Sequence, residues 1–307
     1  MVNLQERKIF ISNWFESLQA NICHALEQAD GGASFQEDIW QRAEGGGGKT
    51  RVIQNGNILE KGGVLFSAVF GKAPQQILSR FQLENANFFA TGVSIVLHPK
   101  NPMVPIIHMN VRYFELSDGQ WWLGGGIDLT PHYVFLEDAI FFHTELKKVC
   151  DKWHKEYYPK FKKWADDYFF LKHRNETRGI GGIFFDELSE NETFTFQDRW
   201  GFVQDVGLAF APIYTTLMQK NSSLPYGETE KMWQAIRRSR YVEFNLVYDI
   251  GTKFGLETGG RIESILISMP PTAQWHYNYQ PAKDSPEAQT LSYLKKGIDW
   301  LAIHSPK

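Results

Sequence analysis

The sequence predicts an α+β fold in which a large, mostly antiparallel sheet is flanked by helices on both faces. Three strand-like runs lie close together between residues 88 and 132, and an Asp-Gly turn signal joins two of them as a hairpin. Stretches with the apolar spacing of helices lie before and after these runs, so strands and helices are segregated along the chain. Because no linker, repeat or low-complexity segment divides the chain, we expect one domain over residues 1–307.

Composition favours a soluble protein with a substantial core. Of 307 residues, 43% are hydrophobic and 15% aromatic, and the net charge of −3 argues against binding to nucleic acid or an anionic membrane surface. The two cysteines, Cys23 and Cys150, make no disulfide framework and favour a reducing compartment. No apolar run reaches the roughly 18 residues of a membrane span, and the N-terminus has no signal-peptide core. We therefore expect a cytoplasmic protein without nucleic-acid partners or stable membrane insertion.

The N-terminal part is predicted to contain a helix followed by a glycine-rich hairpin. Apolar residues follow helical spacing over residues 4–29, and a glycine pair ends the pattern. The GGGGKT stretch at 45–50 resembles a phosphate-binding loop, but Ala43 stands where that loop needs glycine, and strand rather than helix follows. Two interpretations remain: a flexible loop beside a site, with Lys49 or Arg51 meeting an anion, or a plain hairpin connection.

Two neighbouring strand-like runs carry polar, reactive side chains on one face. Strand side chains alternate between faces, so TGVSIVLH places Ser94 and His98 together. By the same rule, IIHMNVRYF aligns His108, Asn110 and Arg112 on one face, opposite an apolar row. A single polar face is compatible with a wet outer surface, but this combination indicates the wall of a site.

The third run, WWLGGGIDLTP, adds a triple glycine and an acid. Without side chains, Gly124–Gly126 allow a flat ligand or another backbone to approach closely. The predicted hairpin pairs Val111–Leu116 with Trp121–Leu129 and brings Asp128 onto the strand beside Arg112. A lone strand Arg or Asp is more often structural than catalytic, whereas the joint arrangement predicts a functional site.

The second half of the chain is predicted to be mainly helical. Arg174 and Arg178 precede a glycine-opened strand and are candidates for pairing with carboxylates. A strand at 262–271 follows Gly259, Gly260 and Arg261, where exposed backbone amides would suit an anionic group. The other predicted elements are helices at 134–156, 160–173, 195–220 and 227–254, a strand at 179–188, and a final helix opened by Ser285-Pro286-Glu287.

These residues indicate an enzyme whose site binds a flat ligand that bears carboxylates. Arg112 and Arg261 would hold the carboxylates, because a guanidinium matches their geometry. Asp128 would accept hydrogen bonds from N–H groups or stabilise positive charge. His108 or His98 would move protons, since imidazole titrates near neutrality. No fingerprint of nicotinamide or flavin binding occurs.

Five segments resemble the oxygen-dependent coproporphyrinogen III oxidases: GVSIVLHPKNP, HMNVRYFEL, WWLGGGIDLTP, HRNETRGIGGIFFDEL and ESILISMPP. The likeness extends from about residue 45 to about residue 279, over long contiguous segments. It implies oxidative decarboxylation of two propionate groups of coproporphyrinogen III to vinyl groups, with molecular oxygen as co-substrate and no organic cofactor. The implied product is protoporphyrinogen IX, a precursor of haem and chlorophyll.

The resemblance also implies roles for individual residues. Asp128 matches an acidic residue aimed at the pyrrole N–H groups, Arg112 would hold the reacting propionate, and His108 is the implied proton donor. A homodimer with its interface at residues 241–277 is a further implication. The implied substrate-contacting residues are Ser94, Asn110, Val111, Arg112, Gly259, Gly260 and Arg261. The implied ligands of a divalent metal are His98, His108, His143 and His173, although sequence spacing does not establish that they meet.

Two other classes of function remain open at this level. A metal-dependent hydrolase using the four histidines would contain stoichiometric metal and lose activity to chelators. A non-catalytic tetrapyrrole carrier would bind without turnover, and it would leave the polar strand faces without a chemical role.

Overall fold

A seven-stranded sheet is the centre of the fold in this computed structural model, which describes residues 4–257 and 260–303. The strand order is β1-β2-β3-β4-β5-β6-β9, and every neighbouring pair is antiparallel. The predicted α+β class with a large antiparallel sheet is therefore confirmed. The strands are β1 (Gln36–Gln41), β2 (Gly46–Gln54), β3 (Leu59–Lys72), β4 (Asn87–Pro99), β5 (Ile106–Leu116), β6 (Trp121–Thr130) and β9 (Gly181–Leu188), with a separate small pair, β7 (Phe170–Leu171) and β8 (Glu176–Thr177).

Helices pack on both faces of the sheet, as predicted. Among the described residues, none of them combines the length and apolar character that crossing a membrane requires. They are α1 (Leu4–Asp30), α2 (Gln75–Phe81), α3 (Leu136–Trp153), α4 (Tyr157–Tyr168), α5 (Phe196–Asn221), α6 (Glu228–Val247), α7 (Ile250–Glu257), α8 (Ile262–Leu266) and α9 (Pro286–Tyr293).

The main core lies between one face of the sheet and helices α1, α3 and α5. Alternate residues of the strands, such as Ile95 and Val111, pack there against Phe15 of α1 and Phe210 of α5 with no exposed surface. Burying apolar area on this scale is the dominant stabilising contribution to a fold of this kind. The same alternation turns the polar residues of β4 and β5 to the opposite face.

The opposite face is only partly covered. At one end, Tyr241 of α6 packs on Val96 and Ile106. Nearby, the hydroxyl oxygens of Ser264 in α8 and Thr50 in β2 are 3.1 Å apart. At the other end, α2 packs in a small cluster that includes Trp122 of β6. Between these coverings, Ser94, Asn110 and Arg112 are partly exposed; we call this region the cleft, and the strands β3 to β6 and β9 its floor.

Several local predictions are confirmed. Helix α1 covers the predicted 4–29 stretch, and the hairpin of β5 and β6 has the predicted pairing. Gly45 lies in the turn between β1 and β2, and Gly46, Gly47 and Gly48 lie inside β2, which confirms the hairpin interpretation. Lys49 and Arg51 are paired with Glu16 at 2.5 Å and Glu37 at 2.8 Å.

Three predictions need correction. The predicted helix at 160–173 begins at Tyr157 and ends at Tyr168, because the chain then turns into the β7–β8 pair. The predicted helix at 227–254 is interrupted after Val247 and resumes as α7. The predicted strand at 262–271 contains the short helix α8, since its apolar residues also satisfy helical spacing. Ile267 at the end of α8 packs over Gly63 of β3, beside the side chain of Leu65.

Candidate functional site

The cleft floor is organised in rows that cross the sheet. Strand pairing places Ser94 opposite Asn110, and Asn110 opposite Gly126. In the next row, Arg112 lies between Gly92 and Gly124. Alternation along each strand keeps these positions on the cleft face, so the predicted shared polar face is present. Because both row neighbours of Arg112 are glycines, neither carries a side chain of its own beside the guanidinium.

Arg112 is held over the floor by an acid. Its Nη2 lies 2.8 Å from Oδ2 of Asp186 on β9, and its side chain is 40% exposed. A Cβ on Gly124 would lie 3.1 Å from both Nε and Nη2 of Arg112, so glycine makes room for this pair. The role of Asp186 was not predictable from the sequence, because it depends on β5 and β9, which are remote in the chain, lying on either side of β6.

His108 is the part of a buried polar chain that reaches the cleft. Its Nδ1 lies 2.8 Å from Oδ1 of Asp128, directly opposite on β6. Nη2 of Arg178 donates to both oxygens of Asp128, at 2.9 and 2.8 Å. The His108 side chain is 20% exposed, whereas those of Asp128 and Arg178 are 1% and 2% exposed. Asp128 therefore lies beneath the cleft surface, which corrects the expectation that its carboxylate faces the ligand.

Asp128 is kept ionised by its partners. Burial by itself raises the pKa of the Asp128 carboxyl, but the charge of Arg178 and the hydrogen bond from His108 outweigh it and lower the pKa. An ionised carboxylate only accepts hydrogen bonds, so Nδ1 of His108 is the donor to it. The second ring nitrogen of a neutral His108 is then unprotonated and able to accept a proton.

The four histidines predicted as metal ligands are not gathered together. His98 donates from Nε2 to the carbonyl of Ser268 at 2.7 Å, and His173 contacts Glu243 and Tyr248 at the surface. His143 of α3 is fully buried, and its Nε2 lies 3.0 Å from the carbonyl oxygen of Ile180. Over residues 4–257 and 260–303, no three His, Cys, Asp or Glu side chains are placed to share a metal ion. The residues present do not fit the predicted metal centre, because each histidine lies with different partners.

Burial also determines the charge of two of these histidines. It lowers the pKa of His98 to about 3, with the nearby charge of Arg238 acting in the same direction. It lowers the pKa of His143 to about 3 as well. His132, which the sequence did not single out, is a third fully buried imidazole with a pKa well below the usual value, again because of burial. These rings are neutral structural groups at neutral pH.

The remaining predicted contact residues are divided between the cleft and other places. Val111 points into the core with no exposed surface, so its side chain does not line the cleft. Arg261 precedes α8 and pairs with Asp38 of β1, on the same face of the sheet as the cleft. Gly260 lies beside it, and Gly259 is outside the described residues. The predicted carboxylate partners of Arg174 and Arg178 are now identified as Glu243 and Asp128.

A family model described as Coproporphyrinogen III oxidase matches residues 10–300 of the chain. The match covers every strand of the sheet and nearly the whole chain. It therefore includes both the cleft floor and the helices at its margins, and it confirms the resemblance carried by the five sequence segments.

Proposed function

Because the chain belongs to the coproporphyrinogen III oxidase family, we propose that it catalyses the oxygen-dependent conversion of coproporphyrinogen III to protoporphyrinogen IX. Each of two propionate groups loses its carboxyl as carbon dioxide and a hydride from the carbon next to the ring, which leaves a vinyl group. The four electrons released by two propionates reduce one O₂ to two waters, or two O₂ to two hydrogen peroxides. No organic cofactor belongs to this proposal.

The observation that carries the proposal is a partly exposed arginine on the cleft floor, with polar side chains in the adjacent row. Arg112 stands between Gly92 and Gly124, and the space over Gly124 holds its pair with Asp186, so the partly exposed guanidinium is positioned to meet a carboxylate. Ser94 and Asn110 supply hydroxyl and amide groups in the adjacent row. A floor of this type suits an anionic macrocycle better than a compact or apolar ligand.

A second arginine lies at the far end of the same face. Arg261 pairs with Asp38 on β1, four strand intervals away from β5, which carries Arg112. At the usual strand spacing of about 4.8 Å, this separates the two strands by roughly 19 Å. We propose that Arg112 holds the reacting propionate and that Arg261 meets carboxylates at the opposite edge of the substrate.

His108 is the proposed proton-transfer group. It is the member of the His108–Asp128–Arg178 chain that reaches the cleft, and its second ring nitrogen is the one not engaged by Asp128. Asp128 would act through His108, because its oxygens are already occupied beneath the surface. This differs from the role that the sequence resemblance implied, in which the carboxylate touches the pyrrole N–H groups.

We also propose that the chain forms a homodimer through an apolar patch within the predicted region 241–277. Eight of the 17 exposed large apolar side chains in the described residues lie between 246 and 277. Exposed apolar side chains concentrated in this way mark interaction surfaces. The apolar patch consists of Leu246, Val247, Ile250, Phe254, Leu256, Ile262, Trp275 and Tyr277.

The test is turnover of anaerobically prepared coproporphyrinogen III, with and without oxygen. Protoporphyrin fluorescence after oxidation and carbon dioxide release are the two readouts, on protein whose metal content has been measured before and after chelation. Product that appears only with oxygen is the expected result. Binding without turnover would support a non-catalytic tetrapyrrole carrier. Loss of activity when the metal is removed would support a metal-dependent role for the histidines.

A further inference from the structure

We propose that Arg178 is a positioning residue of this site. Through Asp128, it holds the ring of His108 in a single orientation and a single tautomer, so that the second ring nitrogen serves the cleft. The proposal rests on the proposed function, because it gives the His108 proton-transfer role its structural support.

The first support is the hydrogen-bond chain itself. One nitrogen of Arg178, Nη2, donates to both carboxylate oxygens of Asp128, and Oδ1 of Asp128 accepts from Nδ1 of His108. The guanidinium therefore fixes the plane of the carboxylate, and the carboxylate fixes the ring. Charge-assisted hydrogen bonds of this kind are shorter and stronger than those between neutral groups.

The second support is that Arg178 is held rigidly and does not contact the cleft. The rings of Phe169, Tyr241 and Phe244 enclose its guanidinium, with the Cζ atom 4.5, 4.6 and 4.6 Å from their centroids. Its Nη1 also donates to Oδ1 of Asn245 at 3.2 Å. An arginine enclosed by aromatic faces is well suited to hold a partner, because few other conformations are open to it.

The third support is electrostatic. A buried carboxylate without a partner is costly, so loss of the Arg178 cation would favour protonation of Asp128. The titratable groups that face this pair are His98, His108, Tyr168, Tyr241 and Asp249. Burial lowers the pKa of His98 to about 3, so His108 is the remaining cation-forming group among them. A protonated Asp128 would donate as well as accept, and the preference for hydrogen on Nδ1 of His108 would be lost.

The experiment compares Arg178→Gln and Arg178→Lys with the wild-type protein. The matched control is Arg238→Gln, which removes another buried guanidinium of the α6 region, one that pairs with Glu60 rather than with Asp128. Two properties are measured: kcat and KM for coproporphyrinogen III, and the tautomer of His108 from the ¹⁵N shifts of histidine-labelled protein. A His108→Gln variant assigns the His108 signals among the nine histidines.

We expect wild-type His108 to carry its hydrogen on Nδ1, and Arg178→Gln to give a mixture of tautomers. The same variant should lose about 10²-fold in kcat, the lower end of what a positioned proton-transfer group contributes. KM should change little, because Arg178 does not reach the cleft. Arg178→Lys should have a kcat between those of the wild-type protein and Arg178→Gln. Arg238→Gln should keep both the wild-type tautomer and the wild-type kcat.

A wild-type tautomer or a wild-type kcat in folded Arg178→Gln would overturn the proposal, and so would equal losses in Arg238→Gln. If Arg178→Gln does not fold, Arg178→Lys decides, because an ammonium cannot reproduce the guanidinium contacts; wild-type values in that variant would overturn the proposal. Failure of the wild-type protein to turn over substrate would refute the proposed function, while the tautomer comparison would still decide the role of Arg178.

Discussion

Acid should weaken this fold through its buried histidines, and replacing His143 should remove a defined part of that effect. His143 is fully buried, and burial lowers its pKa from 6.5 to about 3. The unfolded chain binds the proton below pH 6.5 while the folded chain does not. The free energy of unfolding therefore falls as pH decreases through 6.5, and the loss continues toward the folded pKa.

The magnitude follows from the size of the shift. A pKa difference of one unit corresponds to about 1.4 kcal/mol, so lowering the pH from 7.5 to 5.5 should cost about 1.4 kcal/mol for each such histidine. His98, with a pKa of about 3, behaves alike, which brings the sum to about 3 kcal/mol, and the burial of His132 acts in the same direction. That is a large fraction of the stability of an ordinary domain.

Urea unfolding followed by circular dichroism at pH 7.5 and 5.5, at one protein concentration, measures this loss. His143→Gln retains a donor for the Ile180 carbonyl and should lose about 1.4 kcal/mol less than the wild-type protein over the same interval. His24→Gln, at an exposed position of α1, is the matched control and should keep the wild-type pH dependence. If His143→Gln and the wild-type protein lost equal stability, the assignment of His143 as a buried neutral ring would be wrong.

Three further predictions concern the cleft and the apolar patch. Gly124→Ala should reduce kcat/KM about tenfold or more, because the added carbon displaces Asp186 and the Arg112 side chain paired with it. Gly227→Ala at the start of α6 is the control, and equal activity of the two variants would contradict the reasoning. Arg112→Gln should raise KM for coproporphyrinogen III about tenfold or more through loss of a charged hydrogen bond to the carboxylate, and an unchanged KM in steady-state assays would remove Arg112 from binding. Ile250→Glu should shift the protein toward monomer in sedimentation velocity, whereas Ile39→Glu, also exposed but on β1, should not; identical sedimentation would exclude the patch as the interface.

The sequence predicts the parts of the fold in which local pattern and long-range packing agree. Alternation along TGVSIVLH and IIHMNVRYF correctly places Ser94, Asn110 and Arg112 on one face, because one apolar row had to be buried. The segment after Arg261 is predicted wrongly as a strand, since a short apolar run fits both helix and strand. Packing of Ile267 over Gly63 is a tertiary contact that no local pattern contains.

The sequence predicted several residues of the candidate site but not the ion pairs that join them. Strand pairing alone brings Asp128 beside His108, and the sequence had already placed these residues on neighbouring strands. Arg178 and Asp186 join them from a segment more than 45 residues later in the chain, so their partners depended on the position of β9. Asp128 illustrates the difference. Its strand was predicted correctly, but its burial depended on Arg178, which is remote in the chain and covers the carboxylate.

The order of the strands has a consequence for the time course of folding. Strands β1 to β6 follow one another in the sheet as they do in the chain, so each can pair soon after its predecessor with short loop closures. Strand β9 pairs with β6 only after about 50 intervening residues have formed α3, α4 and the β7–β8 pair. Because β9 and the segment just before it carry Asp186 and Arg178, the binding face would acquire its final electrostatic character at a late stage. Pulse-labelling hydrogen exchange should then protect amides of β3–β5 before those of β9, and the reverse order would refute this sequence of events.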